Sequence, residues 1–255
     1  MDYTYIMDRL TQAYSNVLGP NFVGMYVHGS IAMGCFHPQK SDIDFVCVVH
    51  NEPDAEQKLR ILEATVAYER FAPEKGLEMH ILLLEDCLHP THPCPFCLHY
   101  SHAYWRAFLS DPLNYIRSMQ GRDPDLGGHL TILHACGVCW KGVPVQEVFA
   151  PVPKEMYLSS ILDDVIPGCG DDIYRLCNLC RVWGYLAEGL VLSKRTGPQW
   201  ALSQSEGPAK AIRAALDSYN AGTAWNESFC ADEACAWLQR KIISLLPEEF
   251  ARNYT

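Results

Sequence analysis

The chain has 255 residues, 49% hydrophobic and 20% charged, which is typical of a globular protein that can bury one large core or two smaller ones. Its formal net charge of −10 argues against the basic surface of a nucleic-acid-binding protein, so we expect no nucleic-acid partner. No apolar run is long enough to cross a bilayer and residues 1–4 do not begin a signal peptide, so we expect a cytoplasmic protein, away from membranes, whose 12 cysteines are reduced.

The first predicted elements are a helix and a strand. Residues 2–18 carry apolar side chains at helical spacing and end at Gly19-Pro20, a strong helix terminator. A strand over 25–28 follows, and at Gly29-Ser30 we expect the chain to turn into a short helix. Glycine lets a ligand approach the backbone, and a serine at a helix start offers a hydroxyl and an amide to a phosphate.

The second predicted strand covers 42–49 and begins with two carboxylates. Because side chains alternate across a strand, Asp42 and Asp44 share a face, and the residues after Asp44 are apolar on both faces. Two such carboxylates repel each other unless a cation lies between them, and Mg²⁺ is typically held by carboxylates and substrate phosphates. The pattern indicates chemistry on a nucleoside triphosphate; the alternative is a turn whose aspartates accept backbone hydrogen bonds.

Gly29-Ser30, followed by Ser-Asp-Ile-Asp at 41–44, resembles the signature of the polymerase-β-type nucleotidyltransferases. More specifically, most of the chain resembles the bacterial aminoglycoside adenylyltransferases that modify streptomycin and spectinomycin. This resemblance implies an α+β protein, with a nucleotidyltransferase domain built on a mixed sheet and an all-α C-terminal bundle that closes a cleft against it. It also implies that Asp42 and Asp44 hold Mg²⁺ and that Gly29, Ser30 and Ser41 bind ATP. The spacer between Ser30 and Asp42 is one residue longer than in the best-known members.

A third carboxylate comes from the next strand. Residues 54–70 are predicted to form an amphipathic helix, and 76–83 a strand that contains Glu78. If this strand lies beside the Asp-x-Asp strand, Glu78 joins the metal centre; otherwise it is an exposed edge residue. In the resembled family, a glutamate in a Leu-Glu-x-x strand is the proposed catalytic base, and Leu77-Glu78-Met79-His80 matches it. The resemblance thus makes Glu78 catalytic base, metal ligand and substrate contact.

The segment 87–102 is rich in cysteine, histidine and proline, and we expect an irregular connection there. Cys94 and Cys97 have the spacing of half a zinc site. A second such pair is missing from the predicted loops, because Cys136/Cys139 and Cys177/Cys180 fall in predicted helices. Whether this segment binds zinc stays open at this point.

Trp105 follows this segment, and two roles are open for it. In the resembled family, an aromatic residue near this position stacks on the drug, which makes Trp105 a candidate substrate contact. The alternative is a core tryptophan.

A domain boundary is predicted from the next stretch. Residues 125–140 are expected to form a helix that Asp123-Pro124 opens, and prolines follow at 144, 151 and 153. The predicted domains are therefore 1–152, the nucleotidyltransferase domain, and 153–255, the helical domain.

The predicted helix over 171–189 carries a stripe of polar residues that is either solvent-facing or functional: Asp171, Tyr174, Arg175, Asn178 and Arg181. In the resembled family an aspartate at the start of this helix contacts the drug, and an arginine within it contacts ATP. The resemblance thus assigns Asp171 to the drug and Arg181 to ATP, and Tyr174, on the same stripe, is a further candidate substrate contact. It also matches Lys194 to a lysine that binds the triphosphate. Further helices are predicted over 206–219 and 230–246.

Together these implications predict a monomeric, Mg²⁺-dependent enzyme that transfers AMP from ATP to a hydroxyl of a cationic aminoglycoside-type antibiotic and so confers resistance. Spectinomycin is favoured over streptomycin, because Leu162 and Pro167 stand where streptomycin-accepting members carry Trp and Asp. Gaps in the alignment would instead bring Asp163 or Asp164 there. Two alternatives stay open: an adenylyltransferase of the same fold acting on a protein or a metabolite, and a nucleotide-binding module without catalysis.

Overall fold

The computed structural model describes residues 2–163, 165, 172–223 and 231–251. The chain splits into two compact units, one ending at Tyr157 and the other beginning at Leu158. The α+β class expected from the sequence is confirmed, with a mixed sheet in the N-terminal unit and helices in the C-terminal unit. Within the described ranges, no helix is long and apolar enough to span a bilayer.

The N-terminal unit is built on two sheets. Its strands are β1 (Phe22–Val27), β2 (Ile43–Val49), β3 (Leu77–Leu83), β4 (Cys94–Phe96), β5 (Leu98–Ser101), β6 (Gly121–Asp123) and β7 (Val138–Gly142). Five of them form one sheet in the order β5-β3-β2-β1-β7, and β4 pairs with β6 in a second sheet. β2 and β3 are parallel, and all other paired strands are antiparallel. β2, which contains Asp44 and directly follows Asp42, is therefore the central strand of the main sheet.

Nine helices are described up to Asp163: α1 (Tyr3–Leu18), α2 (Gly29–Ala32), α3 (Ala55–Glu69), α4 (Leu84–Leu88), α5 (Trp105–Ser110), α6 (Pro112–Ser118), α7 (Leu126–Cys136), α8 (Val145–Val148) and α9 (Lys154–Asp163). Short 3₁₀ helices cover Gly19–Asn21 and His102–Tyr104. The helices described beyond Asp163 are α10 (Asp172–Glu188), α11 (Thr196–Ser203), α12 (Ala209–Ala221), α13 (Ala231–Leu245) and α14 (Glu248–Ala251).

Both faces of the main sheet are covered, which explains the continuous apolar run in β2. Phe45 and Cys47 pack into a cluster with residues of α1 and α3. Val46 and Val48, which alternate with them, pack into a second cluster with residues of α7 and α8. Burial on both faces fixes the register of β2, because a shift of one residue would exchange the two sets of side chains.

One buried hydrogen bond joins α1 to α3. The Tyr14 hydroxyl lies 2.7 Å from Thr65 Oγ1, and Thr65 donates its own proton to the Ile61 carbonyl at 2.8 Å. Tyr14 is therefore the donor of the first bond.

We expect Tyr14→Phe to lower the free energy of unfolding by about 1 kcal/mol, because Thr65 keeps its bond to Ile61. Urea denaturation measures the loss, and Tyr5→Phe, at a tyrosine that is 46% exposed, is the matched control with little expected change. Equal stability of the two variants would contradict this account.

Two local predictions are wrong. The helix expected over 125–140 ends at Cys136, and residues 138–142 instead form β7, which pairs with the free edge of β1. Cys139 is consequently in a strand. The segment 87–102 is not irregular throughout, because it contains part of α4 together with β4 and β5. In both places pairing with strands distant in sequence decides the structure, and local patterns do not report such pairing.

Candidate active site

Three carboxylates converge at one end of the central strands. The parallel register of β2 and β3 places Asp44 directly beside Glu78, and Asp42 immediately precedes β2. Asp42, Asp44 and Glu78 each offer a ligand atom within 4.8 Å of the others. In the part of the chain that the structure describes, no other group of acidic, histidine or cysteine side chains meets this criterion.

The chemistry of this triad fits a hard divalent cation. All three residues are half-buried, and all their candidate ligand atoms are oxygens, which Mg²⁺ prefers. Burial raises the pKa of Glu78, and the negative charges of Asp42 and of two aspartates near α7 raise it further. Negative charge concentrated in this way favours a bound cation.

The chain can pass close to this triad as it enters α2 because the first residue of α2 is Gly29. The Gly29 backbone has φ +58°, and a Cβ built there would lie 1.9 Å from Asp44 Oδ2. The amide of His28 donates to the Asp44 carbonyl at 3.1 Å, which fixes the turn against β2. No side chain other than hydrogen fits at position 29 without displacing Asp44.

Ser30 and Ser41 differ in what their hydroxyls do. Ser30 Oγ is buried and has no hydrogen-bond partner among the described residues, which suits a ligand that accepts a hydrogen bond, such as a phosphate. Ser41 Oγ accepts a bond from the His37 amide at 3.0 Å, and the Ser41 amide donates to the His37 carbonyl at 2.8 Å. Ser41 therefore closes the 37–41 loop, and its hydroxyl keeps a proton for donation.

The sequence analysis missed His129, which belongs to the surroundings of the triad. Its Nε2 lies 3.4 Å from Asp125 Oδ2, one helical turn earlier. Burial alone would lower the pKa of His129, but the hydrogen bond and charge of Asp125, with the charges of Glu78 and Asp44, raise it to about 10. A positive imidazolium next to the carboxylates offsets part of their charge. The signal in the sequence was the Asp–His pair four residues apart on one helix.

Two further histidines, His80 and His99, lie close to this site and are uncharged. His80 stacks on His99 with ring centroids 4.2 Å apart, and its Nε2 is 3.6 Å from Asp123. Burial lowers the pKa of His80 to about 3, although Asp123 opposes this shift. Burial likewise lowers the pKa of His99. These rings pack as uncharged groups.

Trp105, the candidate substrate contact, begins α5. It is half-buried and packs against the core on the α1–α3 side of the sheet. Its ring stacks on His102 with 6.2 Å between centroids and an interplanar angle of 19°, and the Arg106 guanidinium lies 5.9 Å from the ring centroid. Both the substrate and the core interpretation are compatible with this partial burial.

In the C-terminal unit, the structure brings together Tyr174 and Lys194, with the Lys194 ammonium 4.1 Å from the Tyr174 ring centroid. Arg181 donates from Nε to the Leu192 carbonyl at 2.7 Å and from an Nη atom to Asn178 at 2.8 Å. Its guanidinium is therefore held in one orientation. Asp171, the predicted drug contact, lies outside the described residues.

The Cys94–Cys97 pair does not form a zinc site with other described residues. Cys94 packs into the cluster on the α7–α8 side of the sheet and Cys97 into the cluster on the α1–α3 side. Both thiols are free, and neither belongs to a group of three possible metal ligands among the described residues. The spacing of these two cysteines reflects burial on opposite sides of the sheet.

Comparisons with known proteins agree with this geometry. Residues 18–96 match the model of the nucleotidyltransferase domain, and residues 147–239 match the model of the aminoglycoside adenylyltransferase C-terminal domain. The fold is similar to the crystal structure of spectinomycin adenyltransferase AAD(9) from Enterococcus faecialis with ATP and spectinomycin. The TM-score is 0.76 at 18% sequence identity, over 93% of this chain and 98% of that chain. A comparison with curated protein sequences gave no significant match. Two matched domains in this order, on this fold, confirm the resemblance: the chain belongs to the aminoglycoside adenylyltransferases, a family of nucleotidyltransferase enzymes.

Proposed function

We propose that the protein transfers AMP from ATP to a hydroxyl of an aminoglycoside-type antibiotic, with spectinomycin as the favoured acceptor, and releases pyrophosphate. The observation that carries this proposal is the convergence of Asp42, Asp44 and Glu78 beside the Gly29-Ser30 turn. A fold similar to a structure that contains ATP and spectinomycin supports the choice of substrates.

The triad has two tasks in this proposal. Asp42, Asp44 and Glu78 would hold Mg²⁺, which when bound offsets the negative charge that builds up on the triphosphate during displacement. Glu78 also orients the acceptor hydroxyl and takes its proton as the hydroxyl oxygen bonds to the α-phosphorus and the bond to pyrophosphate breaks. Glu78 is placed for this role by its position beside Asp44 across the parallel strands β2 and β3.

The resemblance assigns Gly29, Ser30, Ser41, Arg181 and Lys194 to ATP. The Gly29 backbone allows close approach of the triphosphate, and the hydroxyls of Ser30, which has no partner among the described residues, and of Ser41 donate to its oxygens. Arg181, whose guanidinium is already oriented, and Lys194 add positive charge for the phosphates.

The acceptor is cationic, and a protein of net charge −10 attracts it over long range. We assign its contacts to Glu78, Trp105, Asp171 and Tyr174. Leu162, which is buried, lacks the ring of the tryptophan that streptomycin-accepting members of the resembled family carry there, and Pro167 lacks the charge of their aspartate, so streptomycin is the weaker candidate. We further propose a cytoplasmic monomer that confers resistance, in line with the free cysteines among the described residues.

Removing divalent cations is expected to abolish turnover, because three mutually repelling carboxylates then face the triphosphate. Pyrophosphate release is measured after treatment with EDTA and gel filtration, and again after Mg²⁺ is added back. Full recovery with Mg²⁺ is the predicted result. Unchanged release from the metal-free protein would contradict the assignment of the triad.

The substrate assignment is tested with a panel of acceptors and labelled ATP. Pyrophosphate release stimulated by spectinomycin, and labelled AMP on the drug, is the predicted outcome. If neither spectinomycin nor streptomycin stimulates pyrophosphate release and the label appears on a protein or a metabolite, the acceptor belongs to another class. ATP binding without release for any acceptor would show a nucleotide-binding module.

A further inference from the structure

Glu69, at the end of α3, joins three segments next to the candidate active site. Its side chain is 9% exposed, and Oε1 lies 2.6 Å from His102 Nδ1. Oε2 accepts from the Tyr100 hydroxyl at 3.1 Å, and Oε1 also accepts from the Leu77 amide at 3.4 Å. One buried carboxylate thus connects α3 to the first residue of β3, to β5 and to the 3₁₀ turn that follows β5.

These segments carry two groups of the proposed reaction. Leu77 directly precedes Glu78, and Ser101, which precedes His102, pairs opposite Glu78 across the sheet. His102 in turn stacks on Trp105. The chain of contacts from Glu69 therefore ends on one side at the proposed base and on the other side at the proposed acceptor contact.

The Glu69 and His102 side chains can meet because the adjacent residue 76 is a glycine without a side chain. Gly76 has φ +80°, and a Cβ there would lie 2.1 Å from Glu69 Oε1 and 2.5 Å from His102 Cβ. The Gly76 carbonyl accepts a hydrogen bond at 3.1 Å from the amide of Ile43, the residue between Asp42 and Asp44. The same short stretch thus connects the Glu69 network to the strand that carries the metal-binding aspartates.

The main effect of the bond from Glu69 to His102 is to orient the imidazole ring; it is not needed to satisfy a buried polar atom. The His102 side chain is 43% exposed, so water would satisfy Nδ1 if Glu69 were absent. A charge-assisted bond at 2.6 Å instead fixes the imidazole in the plane on which Trp105 stacks.

We propose that Glu69 is a positioning residue for the acceptor: through His102 it holds Trp105 at a fixed place relative to Glu78. This inference rests on the proposed function, in which Trp105 contacts the acceptor. Glu69 itself touches neither substrate. Its loss changes acceptor binding and leaves ATP binding intact.

The kinetic test is a double-mutant cycle of Glu69→Gln and Trp105→Phe, with spectinomycin and ATP as substrates. Glu69→Gln keeps the shape but loses the charge-assisted bond, so the KM for the acceptor is expected to rise about tenfold while the KM for ATP stays constant. The double variant is expected to be no worse than Trp105→Phe alone. Additive effects, or an equal rise in both KM values, would overturn the proposal.

A second readout does not need turnover. The indole N–H signal of Trp105, assigned by its absence in Trp105→Phe, is followed by NMR in Glu69→Gln and in the control Glu63→Gln, which changes an exposed glutamate of the same helix. A shift in Glu69→Gln alone supports the positioning role; no shift, or equal shifts in both variants, overturns it. If the wild type is inactive with every acceptor, the proposed function fails, and this signal alone decides whether Glu69 positions Trp105.

Discussion

Replacing Glu78 with glutamine is expected to lower kcat for adenylyl transfer by at least about a hundredfold. Glutamine has the shape of glutamate and still offers an oxygen, but it cannot take a proton from the acceptor hydroxyl. The amide is neutral and not basic, whereas the carboxylate of Glu78 lies beside Asp44 at the proposed reaction centre. Initial rates of pyrophosphate release, with ATP and the acceptor both saturating, measure the effect.

The matched control for this substitution is Glu85→Gln. Glu85 lies in α4, close in sequence, but its side chain is 78% exposed and its ion-pair contact is a histidine 3.6 Å away. We expect wild-type rates for this variant, because exposed pairs contribute little. Thermal unfolding shows whether each variant is folded. A Glu78→Gln enzyme that keeps more than a tenth of its kcat would exclude Glu78 as the general base.

The second large effect is expected from Gly29→Ala. A left-handed backbone costs a non-glycine residue about 1–2 kcal/mol. In addition, the new Cβ would lie 1.9 Å from Asp44 Oδ2, so either the turn or the carboxylate must move. Because a displacement of about 1 Å in an active site can cost a hundredfold in rate, we expect kcat/KM for ATP to fall by about that factor.

Gly34→Ala separates the two causes. Gly34 also has a left-handed backbone, with φ +65°, but a Cβ there has no atom within 4 Å. Gly34→Ala should therefore lose the same amount of stability, about 1–2 kcal/mol, from its left-handed backbone, measured by urea unfolding, and keep its activity, measured by initial rates. Equal loss of activity in both variants would mean that backbone strain, and not the contact with Asp44, is responsible.

The parts of the fold that depend on local pattern were predictable from the sequence. The helix at 3–18 follows from its apolar spacing and its Gly-Pro stop, and the strands at 43–49 and 77–83 follow from their β-branched and apolar residues. Because these two strands are neighbours, Asp42, Asp44 and Glu78 meet as the resemblance implied.

What could not be predicted depends on partners distant in sequence. β7 forms because the edge of β1 is free, and nothing within 138–142 reports that edge. His129 approaches the triad only because α7 packs against the sheet beside it. The Glu69–His102 bond spans 33 residues and joins two segments that no periodicity connects. Such contacts become visible only when the strand order is known.

The most direct test of the central claim is mass spectrometry of spectinomycin after incubation with the purified protein, ATP and Mg²⁺. We predict a mass increase equal to one adenylyl group on the drug with wild-type protein, and formation of this product at least about a hundredfold more slowly with Glu78→Gln. Consumption of ATP without modified drug would contradict the proposed acceptor. No consumption of ATP would likewise contradict spectinomycin as the acceptor, and absence of ATP consumption with every acceptor of the panel would contradict adenylyl transfer itself.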